Sequence, residues 1–306
     1  MTSIVFPGQG SQFIEMSKDF YDNFDTARRV FELIADTAKI DIKNIIFNNP
    51  ADLLNQTQYT QLSIFCSSIS IFKVLSEEID IQKLNVSCML GHSLGEYTAL
   101  VASNTINIAD ASILIKKRGE LMHTTIEPNT SGMAAIIGKN AGFIDEIIRT
   151  NNLDIVIAND NSPMQVVVSG LIGAINSAEN IFSLNGVKRY VKLNVSAAFH
   201  SKYMSEAQNK LIGEIDKITF KNSNIPIISN YNANINSDLD EVIYSLKNQM
   251  ANKVKWTESI KKLEGTDIDR IIEIGPSKVL SGLISRITKN FDIKSIDKIE
   301  DLKKFN

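Results

Sequence analysis

The chain has 306 residues, of which 43% are hydrophobic, and this supply of apolar side chains predicts a folded protein with a large buried core. Its formal net charge is −3, and no long block of basic residues occurs, so nucleic-acid binding is not expected. Two cysteines are too few for a disulfide framework, and the length allows two domains or one α/β domain with an insertion.

The amino terminus carries no sign of a targeting segment. Residues 1–7 lack the basic region and the long apolar core of a signal peptide. The apolar stretch at residues 62–75 is shorter than the roughly 20 residues that span a bilayer, and it contains Lys73. We therefore expect a soluble cytoplasmic protein with no membrane partner.

A glycine-containing loop, Pro-Gly-Gln-Gly-Ser-Gln at residues 7–12, follows a predicted strand at residues 3–6. Glycines let a backbone approach a ligand closely, and a helix start after the loop would present free N–H groups. Such a loop could hold a phosphate or complete an oxyanion hole. The spacing fits neither a P-loop nor the GxGxxG fingerprint, because Phe13 occupies the last glycine position, so nucleotide binding is weakly supported.

The pentapeptide Gly-His-Ser-Leu-Gly at residues 91–95 lies between a strand-like run (86–90) and a helix-like run (96–101). A serine on a sharp strand-to-helix turn needs small residues two positions to either side, and Gly91 and Gly95 meet that need. This context favours a nucleophile elbow with Ser93 as the nucleophile. The alternative is an ordinary turn, since GxSxG also occurs by chance.

A serine nucleophile requires a base, and the chain contains three histidines. His92 adjoins Ser93 in the turn and is poorly placed to take its proton, and His123 ends a helical stretch and is most simply a surface residue. His200 lies between a strand-like run (187–195) and a helix, where a catalytic side chain can be held rigidly beside a cleft. His200 is the predicted base, with a helix-capping role as the alternative.

The middle of the chain has a different organisation from its flanks. Its predicted elements follow the order βαββαβ, which is the ferredoxin-like pattern, and they occupy residues 132–138, 141–150, 154–158, 165–169, 171–183 and 187–195. Strands at 225–229 and 270–274 alternate with helices, as in a parallel-sheet domain. We expect an α/β-hydrolase-like catalytic unit (1–128 and 196–306), an inserted ferredoxin-like subdomain (129–195), and an active site in the cleft between them.

Eight motifs occur in a fixed order along nearly the whole chain, and together they resemble those of malonyl-CoA:acyl carrier protein transacylases, the acyltransferases of fatty-acid and polyketide synthesis. The motifs are FPGQGSQ (6–12), GHSLGEY (91–97), RGELM (118–122), GMAAIIG (132–138), NSPMQVVVSG (161–170), AFHS (198–201), VKWTESI (254–260) and EIGPSKVL (273–280). Three positions depart from the family pattern: Leu62, Ala197 and Ser277. At Ser277 the backbone is expected to avoid torsions reserved for glycine.

The resemblance implies a Ser93–His200 dyad without a triad acid. It implies that backbone N–H groups of Gln9 and Leu94 form the oxyanion hole. It also implies that Gln249 lies where a main-chain carbonyl orients the histidine.

The resemblance further implies substrate-binding residues. Arg118 would grip the free malonyl carboxylate through paired hydrogen bonds, whereas position alone favours a solvated helix face for residues 116–118. Phe199 is expected either to wall an acyl pocket, which would favour malonyl over methylmalonyl, or to anchor the core. Asn161 could line the pocket or cap a turn before Pro163.

The implied reaction moves a malonyl group from malonyl-CoA to Ser93, and then to the phosphopantetheine thiol of an acyl carrier protein. Exchange of one thioester for another is nearly neutral in energy, so no ATP, cofactor or metal is expected, and the histidines and cysteines show no metal-ligand spacing. An acyl hydrolase and a catalytically silent docking module remain alternatives. The carrier's pathway stays open, and a monomer is expected.

Overall fold

The computed structural model describes residues 1–79, 81–127, 129–195 and 197–305. The strands in this part of the chain are β1 (Thr2–Phe6), β2 (Val86–Gly91), β3 (Ser131–Ile137), β4 (Ile155–Ser162), β5 (Gln165–Leu171), β6 (Arg189–Lys192), β7 (Ile227–Ile228), β8 (Ile235–Asn236), β9 (Arg270–Ile274) and β10 (Asp292–Ile296).

The α-helices of the same part are α1 (Lys18–Asn23), α2 (Asp25–Ala38), α3 (Ile42–Asn48), α4 (Thr57–Glu78), α5 (Leu94–Ala102), α6 (Ile108–Thr124), α7 (Ala141–Thr150), α8 (Ile172–Leu184), α9 (Ser205–Ile215), α10 (Leu239–Lys247), α11 (Trp256–Glu264) and α12 (Val279–Ile287). No helix in the described ranges has both the length and the apolar character needed to cross a membrane.

The larger sheet has the order β10-β9-β1-β2-β7-β8, and its strands are parallel except for the edge strand β8. All five residues of β1 are buried, which is typical of a central parallel strand that is covered on both faces. The carboxyl ends of β1, β2 and β7 lie side by side, with Phe6 opposite Gly91 and Leu90 opposite Ile228. The loops that leave these strands therefore meet at one edge of the sheet, where open α/β sheets bind ligands.

The smaller sheet is antiparallel, with the order β4-β5-β3-β6. Its chain order, β3-α7-β4-β5-α8-β6, confirms the ferredoxin-like prediction inside a parallel-sheet α/β fold. Helices α7 and α8 share an apolar core with one face of the sheet, made of Ala134, Ile136, Ile144, Ile147, Ile148, Ile155, Val166, Val168, Ile175, Ala178, Phe182 and Val187. Residues of the other face, including Met133 and Val167, join the core of the larger unit.

Three strand predictions and one loop prediction differ from the structure. The strand predicted at residues 225–229 is shorter, since β7 comprises only Ile227–Ile228. Strand β4 runs past residue 158 because its end is tied to the larger unit, where Asp160 N donates to Val254 O at 3.0 Å. Strand β6 is shorter than predicted, since pairing with β3 covers only Arg189–Lys192. Ser277 has φ +70°, so this loop does adopt a left-handed conformation, contrary to expectation.

Candidate active site

Ser93 lies between β2 and α5 with φ 50° and ψ −101°, a strained conformation for a residue other than glycine. A Cβ atom on Gly91 would lie 2.0 Å from the carbonyl carbon of Gly95, and one on Gly95 would lie 2.0 Å from Phe6 O. Only glycine fits at either position without a backbone shift. The strand-to-helix turn predicted from the pentapeptide is present, and its close packing on the end of β1 holds Ser93 at the sheet edge.

The hydroxyl of Ser93 has two partners. Its Oγ lies 2.8 Å from His200 Nε2, and Arg118 Nη2 donates to the same oxygen at 3.0 Å. A guanidinium can only donate, so the single hydroxyl proton is free to point toward His200. This is the arrangement required for proton transfer from a serine nucleophile to a histidine base.

His200 is oriented by main-chain carbonyls. Its Nδ1 lies 3.2 Å from Gln249 O and 3.1 Å from Asn252 O. Both partners only accept, so Nδ1 carries the proton and Nε2 presents its lone pair to Ser93. Burial, with the charge of Arg118 as the next contribution, lowers the pKa of His200 to about 3, which keeps the imidazole neutral.

His92 is bonded away from the nucleophile. Its Nε2 is 2.8 Å from Asn161 Oδ1, and its ring lies 5.6 Å from the Trp256 ring. Asn161 lies within β4, so it does not cap the turn before Pro163. Its amide faces His92, and it is not among the residues around the cavity.

Arg118 is 1% exposed, so the solvated-face alternative for this helix position is wrong. Its Nη1 donates to Gln61 Oε1 at 2.5 Å, and its Nη2 donates to Gln249 Oε1 at 2.9 Å. The guanidinium also lies over the Tyr97 ring, 5.1 Å from its centroid. Burial lowers the pKa of Arg118, but a guanidinium stays charged because its ordinary pKa is above 12. A buried cation therefore lies beside Ser93.

Gln9 and Leu94, whose backbone N–H groups are expected to form the oxyanion hole, follow the neighbouring strands β1 and β2. Leu94 is the first residue of α5, so its N–H has no acceptor inside the helix. Gln9 follows β1 at the neighbouring strand end, and its side chain donates to Thr57 Oγ1 at 3.2 Å. Both residues line the same cavity as Ser93.

The cavity encloses about 100 Å³ next to Ser93 Oγ, a size suited to a short acyl group. Phe199 is buried and forms part of its wall, so the wall and core roles expected for this ring coincide. Both units contribute to the lining, which consists of Gln9, Gln61, His92, Ser93, Leu94, Arg118, Met122, Met133, Asn159, Leu193, Val195, Phe199 and His200. The cavity thus has lining residues both from segment 129–195 and from the rest of the described chain.

Sequence reasoning missed two residues behind the site, Asn230 and Glu96. Asn230 Oδ1 accepts from Ser93 N at 2.6 Å, and its Nδ2 donates to Gly91 O at 2.7 Å. Burial raises the pKa of Glu96, whose Oε2 accepts from Gln249 Nε2 at 2.8 Å. Asn230 is a polar residue that closely follows β7, at the same sheet edge as the elbow. This position in the sequence could have indicated that Asn230 contributes to the site. Glu96 carried no signal beyond its place in the GHSLGEY motif.

The described part of the chain contains no group of three or more His, Cys, Asp or Glu side chains arranged to hold a metal ion.

The sequence and the structure are both similar to those of known acyltransferases. A family model described as "Acyl transferase domain" matches residues 4–304. The malonyl CoA-acyl carrier protein transacylase of Bacillus subtilis (strain 168) is 35% identical over 291 residues, which cover 94% of this chain and 90% of that protein.

Solved structures with high similarity include the acyl-carrier-protein-S-malonyltransferase of Bartonella henselae. It superposes with a TM-score of 0.95 at 33% identity, covering 99% of this chain and 97% of that one. A malonyl-transacylase in complex with its type II PKS acyl-carrier protein gives a TM-score of 0.93 at 31% identity, covering 99% and 97% of the two chains. With a family match over nearly its full length and relatives this similar, the chain belongs to the acyl transferase domain family.

Proposed function

We propose that this enzyme transfers a malonyl group from malonyl-CoA to the phosphopantetheine thiol of an acyl carrier protein, through a malonyl ester on Ser93. The observation that carries the proposal is the double contact of Ser93 Oγ, with His200 Nε2 at 2.8 Å and with the buried Arg118 at 3.0 Å. The first contact supplies a nucleophile and its base. The second supports a role for this buried cation in binding the carboxylate of an acyl group carried on Ser93.

In the first half-reaction, Ser93 Oγ attacks the thioester carbon while its proton moves to His200 Nε2. The negative charge that develops on the carbonyl oxygen is stabilised by N–H groups of Gln9 and Leu94. Collapse of this intermediate breaks the C–S bond, and the proton on His200 passes to the departing thiolate of coenzyme A. The products are malonyl-Ser93 and free coenzyme A.

The second half-reaction runs the same steps in reverse with a different thiol. His200 takes the proton of the phosphopantetheine thiol, whose sulfur attacks the ester carbon, and the proton then returns to Ser93 Oγ. One thioester is consumed and one is formed, so neither ATP nor a redox cofactor is required. The order is ping-pong, because coenzyme A leaves before the carrier protein reacts.

Malonyl selection is assigned to Arg118, with Phe199 limiting the space for a 2-methyl branch. A charge-assisted hydrogen bond contributes about 1.5 to 3 kcal/mol, or roughly 10- to 150-fold in rate. Acetyl-CoA offers no carboxylate, so the buried guanidinium gains no anionic partner when acetyl occupies the cavity.

Arg118→Ala is expected to lower kcat/KM for malonyl-CoA by roughly 10- to 150-fold relative to acetyl-CoA, since only malonyl loses a charged partner. Steady-state rates with both thioesters measure this ratio. Lys117→Ala is the matched control, because Lys117 lies one residue away on the same helix with its amine paired to Glu120 outside the cavity. Equal losses for malonyl and acetyl would remove Arg118 from this role.

The pH dependence of Ser93 acylation should reflect the low pKa of His200. The free enzyme keeps this base neutral above about pH 3, so kcat/KM for malonyl-CoA should not fall between pH 8 and 5. A histidine with an ordinary pKa of 6.5 would lose about tenfold per pH unit below that value. Rapid-quench acylation over this range measures the profile, with circular dichroism at each pH to verify folding. A tenfold loss per unit below pH 6.5 would contradict the assigned environment.

The protonation of His200 also links pH to stability. The unfolded histidine binds a proton below its ordinary pKa of 6.5, whereas the folded one does so only near 3. The contribution of this residue to stability is therefore complete above pH 6.5 and is lost as the pH falls from 6.5 toward 3.

The proposed function is tested by intact-protein mass spectrometry after brief incubation with malonyl-CoA or acetyl-CoA, followed by a phosphopantetheinylated carrier protein. A malonyl adduct on Ser93 that moves to the carrier would support the transacylase. Loss of the adduct to water before transfer would indicate an acyl hydrolase, and absence of any adduct would indicate a silent docking module. Parallel reactions with fatty-acid and polyketide carrier proteins would identify the acceptor's pathway.

The proposal includes a domain organisation with a catalytic unit (1–128 and 196–306) and an inserted subdomain (129–195). The separate apolar core under α7 and α8 supports this division. The boundary residues Pro128, Ser196 and Asn306 lie outside the described residues. Limited proteolysis of the full chain, with cleavage concentrated near residues 128 and 196, would support it.

A cytoplasmic monomer without a resident cofactor completes the proposal. Malonyl-CoA and carrier proteins supply all the atoms that the two half-reactions consume. Light scattering coupled to size-exclusion chromatography tests the monomer, and activity of the purified protein after dialysis against a chelator tests independence from metal ions.

A further inference from the structure

Glu96 is a buried carboxylate that none of the proposed catalytic steps uses. It lies in the first turn of α5, three residues after Ser93, and it is 1% exposed. Its Oε2 atom accepts two hydrogen bonds, from Gln249 Nε2 at 2.8 Å and from Asn230 N at 3.0 Å. A buried carboxylate is costly unless it is hydrogen-bonded or paired, so the groups that bond to Glu96 indicate what it does.

Gln249 connects Glu96 to the guanidinium of Arg118. The Oε1 atom of Gln249 accepts from Arg118 Nη2 at 2.9 Å, while its Nε2 donates to Ser93 O at 2.9 Å and to Glu96. Arg118 has only donors, so an amide turned the other way would set N–H groups against N–H groups. Two acceptors, Glu96 Oε2 and Ser93 O, hold the amide in the orientation that presents its oxygen to Arg118.

Asn230 connects the same carboxylate oxygen to the elbow. Its backbone N–H donates to Glu96, and its side chain bridges Ser93 N at 2.6 Å and Gly91 O at 2.7 Å. Glu96 Oε2 therefore bonds to both Asn230 and Gln249, the two residues that hold the nucleophile turn. Of these two, Gln249 is the one that contacts the guanidinium of Arg118.

The Gln249 amide separates the carboxylate from the cation that it supports. A carboxylate paired directly with Arg118 would occupy the donors that a malonyl carboxylate needs. Gln249 Oε1 is a neutral acceptor, so positioning through this amide leaves the positive charge of Arg118 without a direct anionic partner among the described residues.

We propose that Glu96 is a positioning residue for malonyl selection, which acts by fixing the Gln249 amide so that its oxygen holds Arg118 beside Ser93. This inference rests on the proposed malonyl transfer. It predicts that the reach of the Glu96 acceptor matters more than its charge.

Glu96→Asp and Glu96→Gln form a matched pair. Aspartate keeps the carboxylate but withdraws it by one C–C bond, about 1.5 Å, which breaks the contact with Gln249 Nε2. Glutamine keeps the length and one acceptor oxygen but carries no carboxylate. The readout is the ratio of kcat/KM for malonyl-CoA to that for acetyl-CoA in the loading of Ser93, because acetyl has no group for Arg118 to grip.

Glu96→Asp is expected to lower this ratio by about tenfold, the effect of weakening one charged hydrogen bond between Arg118 and the malonyl carboxylate. In Glu96→Gln the ratio is expected to stay within about threefold of that of the parent enzyme. Gln249→Ala should lower the ratio similarly, and adding Glu96→Asp to it should cause little further loss, because both residues act through one amide. Acetyl loading in each variant reports whether the elbow is intact.

Three results would overturn the inference: an unchanged ratio in Glu96→Asp, a larger fall in Glu96→Gln than in Glu96→Asp, or additive losses in the double variant. Equal loss of malonyl and acetyl loading gives an unchanged ratio and would make Glu96 purely structural. If the parent enzyme fails to load malonyl on Ser93, the proposed function itself fails. Malonyl selection by the parent with an unchanged ratio in Glu96→Asp refutes only the role of Glu96.

Discussion

Replacing Ser93 with alanine is expected to abolish the malonyl-enzyme and to reduce transfer to a carrier protein by roughly 10⁴- to 10⁶-fold. The substitution removes the one oxygen that contacts both His200 and Arg118. The proposed oxyanion donors and the guanidinium remain, so we expect substrate to bind, but no covalent intermediate can form. Intact-mass analysis after incubation with malonyl-CoA gives the first readout, and carrier malonylation gives the second.

Ser177→Ala is the matched control for this experiment. Ser177 lies exposed on α8, where its hydroxyl donates to Ala174 O within the helix, so its loss should leave loading unchanged. A labelled adduct that persists in Ser93→Ala would show that another residue is the nucleophile. Peptide mapping of that adduct would then identify the residue.

The nucleophile elbow was predictable because it is a local feature. Two glycines flank Ser93 between a strand and a helix, and the contacts that forbid a Cβ at these glycines come mainly from the turn itself and from the end of β1. The βαββαβ order was predictable for a similar reason, since each element carries its own periodicity. His200 could be chosen from three candidates because few residue types can serve as the base.

The surroundings of these residues could not be predicted from local patterns. Arg118 reads as an exposed helix position, yet it is buried by Gln61, more than fifty positions earlier, and by Gln249, far later in the chain. Asn161 was expected to line the pocket or to cap a turn, but it lies in β4 with its Oδ1 2.8 Å from His92 Nε2. Such outcomes depend on how distant segments pack, which no short window of sequence records.

Ser277 shows the same limit in the backbone. The absence of a glycine there suggested a backbone conformation that any residue can adopt. Ser277 nevertheless has φ +70°, which is a left-handed conformation. A left-handed conformation costs roughly 1–2 kcal/mol for a residue other than glycine. The fold tolerates this cost at the loop between β9 and α12, whose path is set by the elements on both sides.

Replacing His200 with alanine is expected to slow acylation of Ser93 by roughly 10²- to 10⁴-fold, the usual contribution of a positioned general base. Loss should be smaller than in Ser93→Ala, because the hydroxyl, the oxyanion donors and Arg118 remain. Nε2 of His200 is the acceptor for the Ser93 proton at 2.8 Å, and the carbonyls of Gln249 and Asn252 hold the ring in the required tautomer. Single-turnover acylation with malonyl-CoA measures the effect on this step alone.

The other two histidines make this prediction specific. His123→Ala is the matched control, since this residue lies near the end of α6 and outside the cavity, and its rate should stay near that of the parent. His92 also lines the cavity, but its Nε2 is engaged by Asn161 at 2.8 Å. A near-normal rate in His200→Ala, together with a large loss in His92→Ala, would move the base to His92. We expect a large loss in His200→Ala and a smaller one in His92→Ala. Of the three histidines, only His200 combines a fixed tautomer with direct contact to Ser93 Oγ.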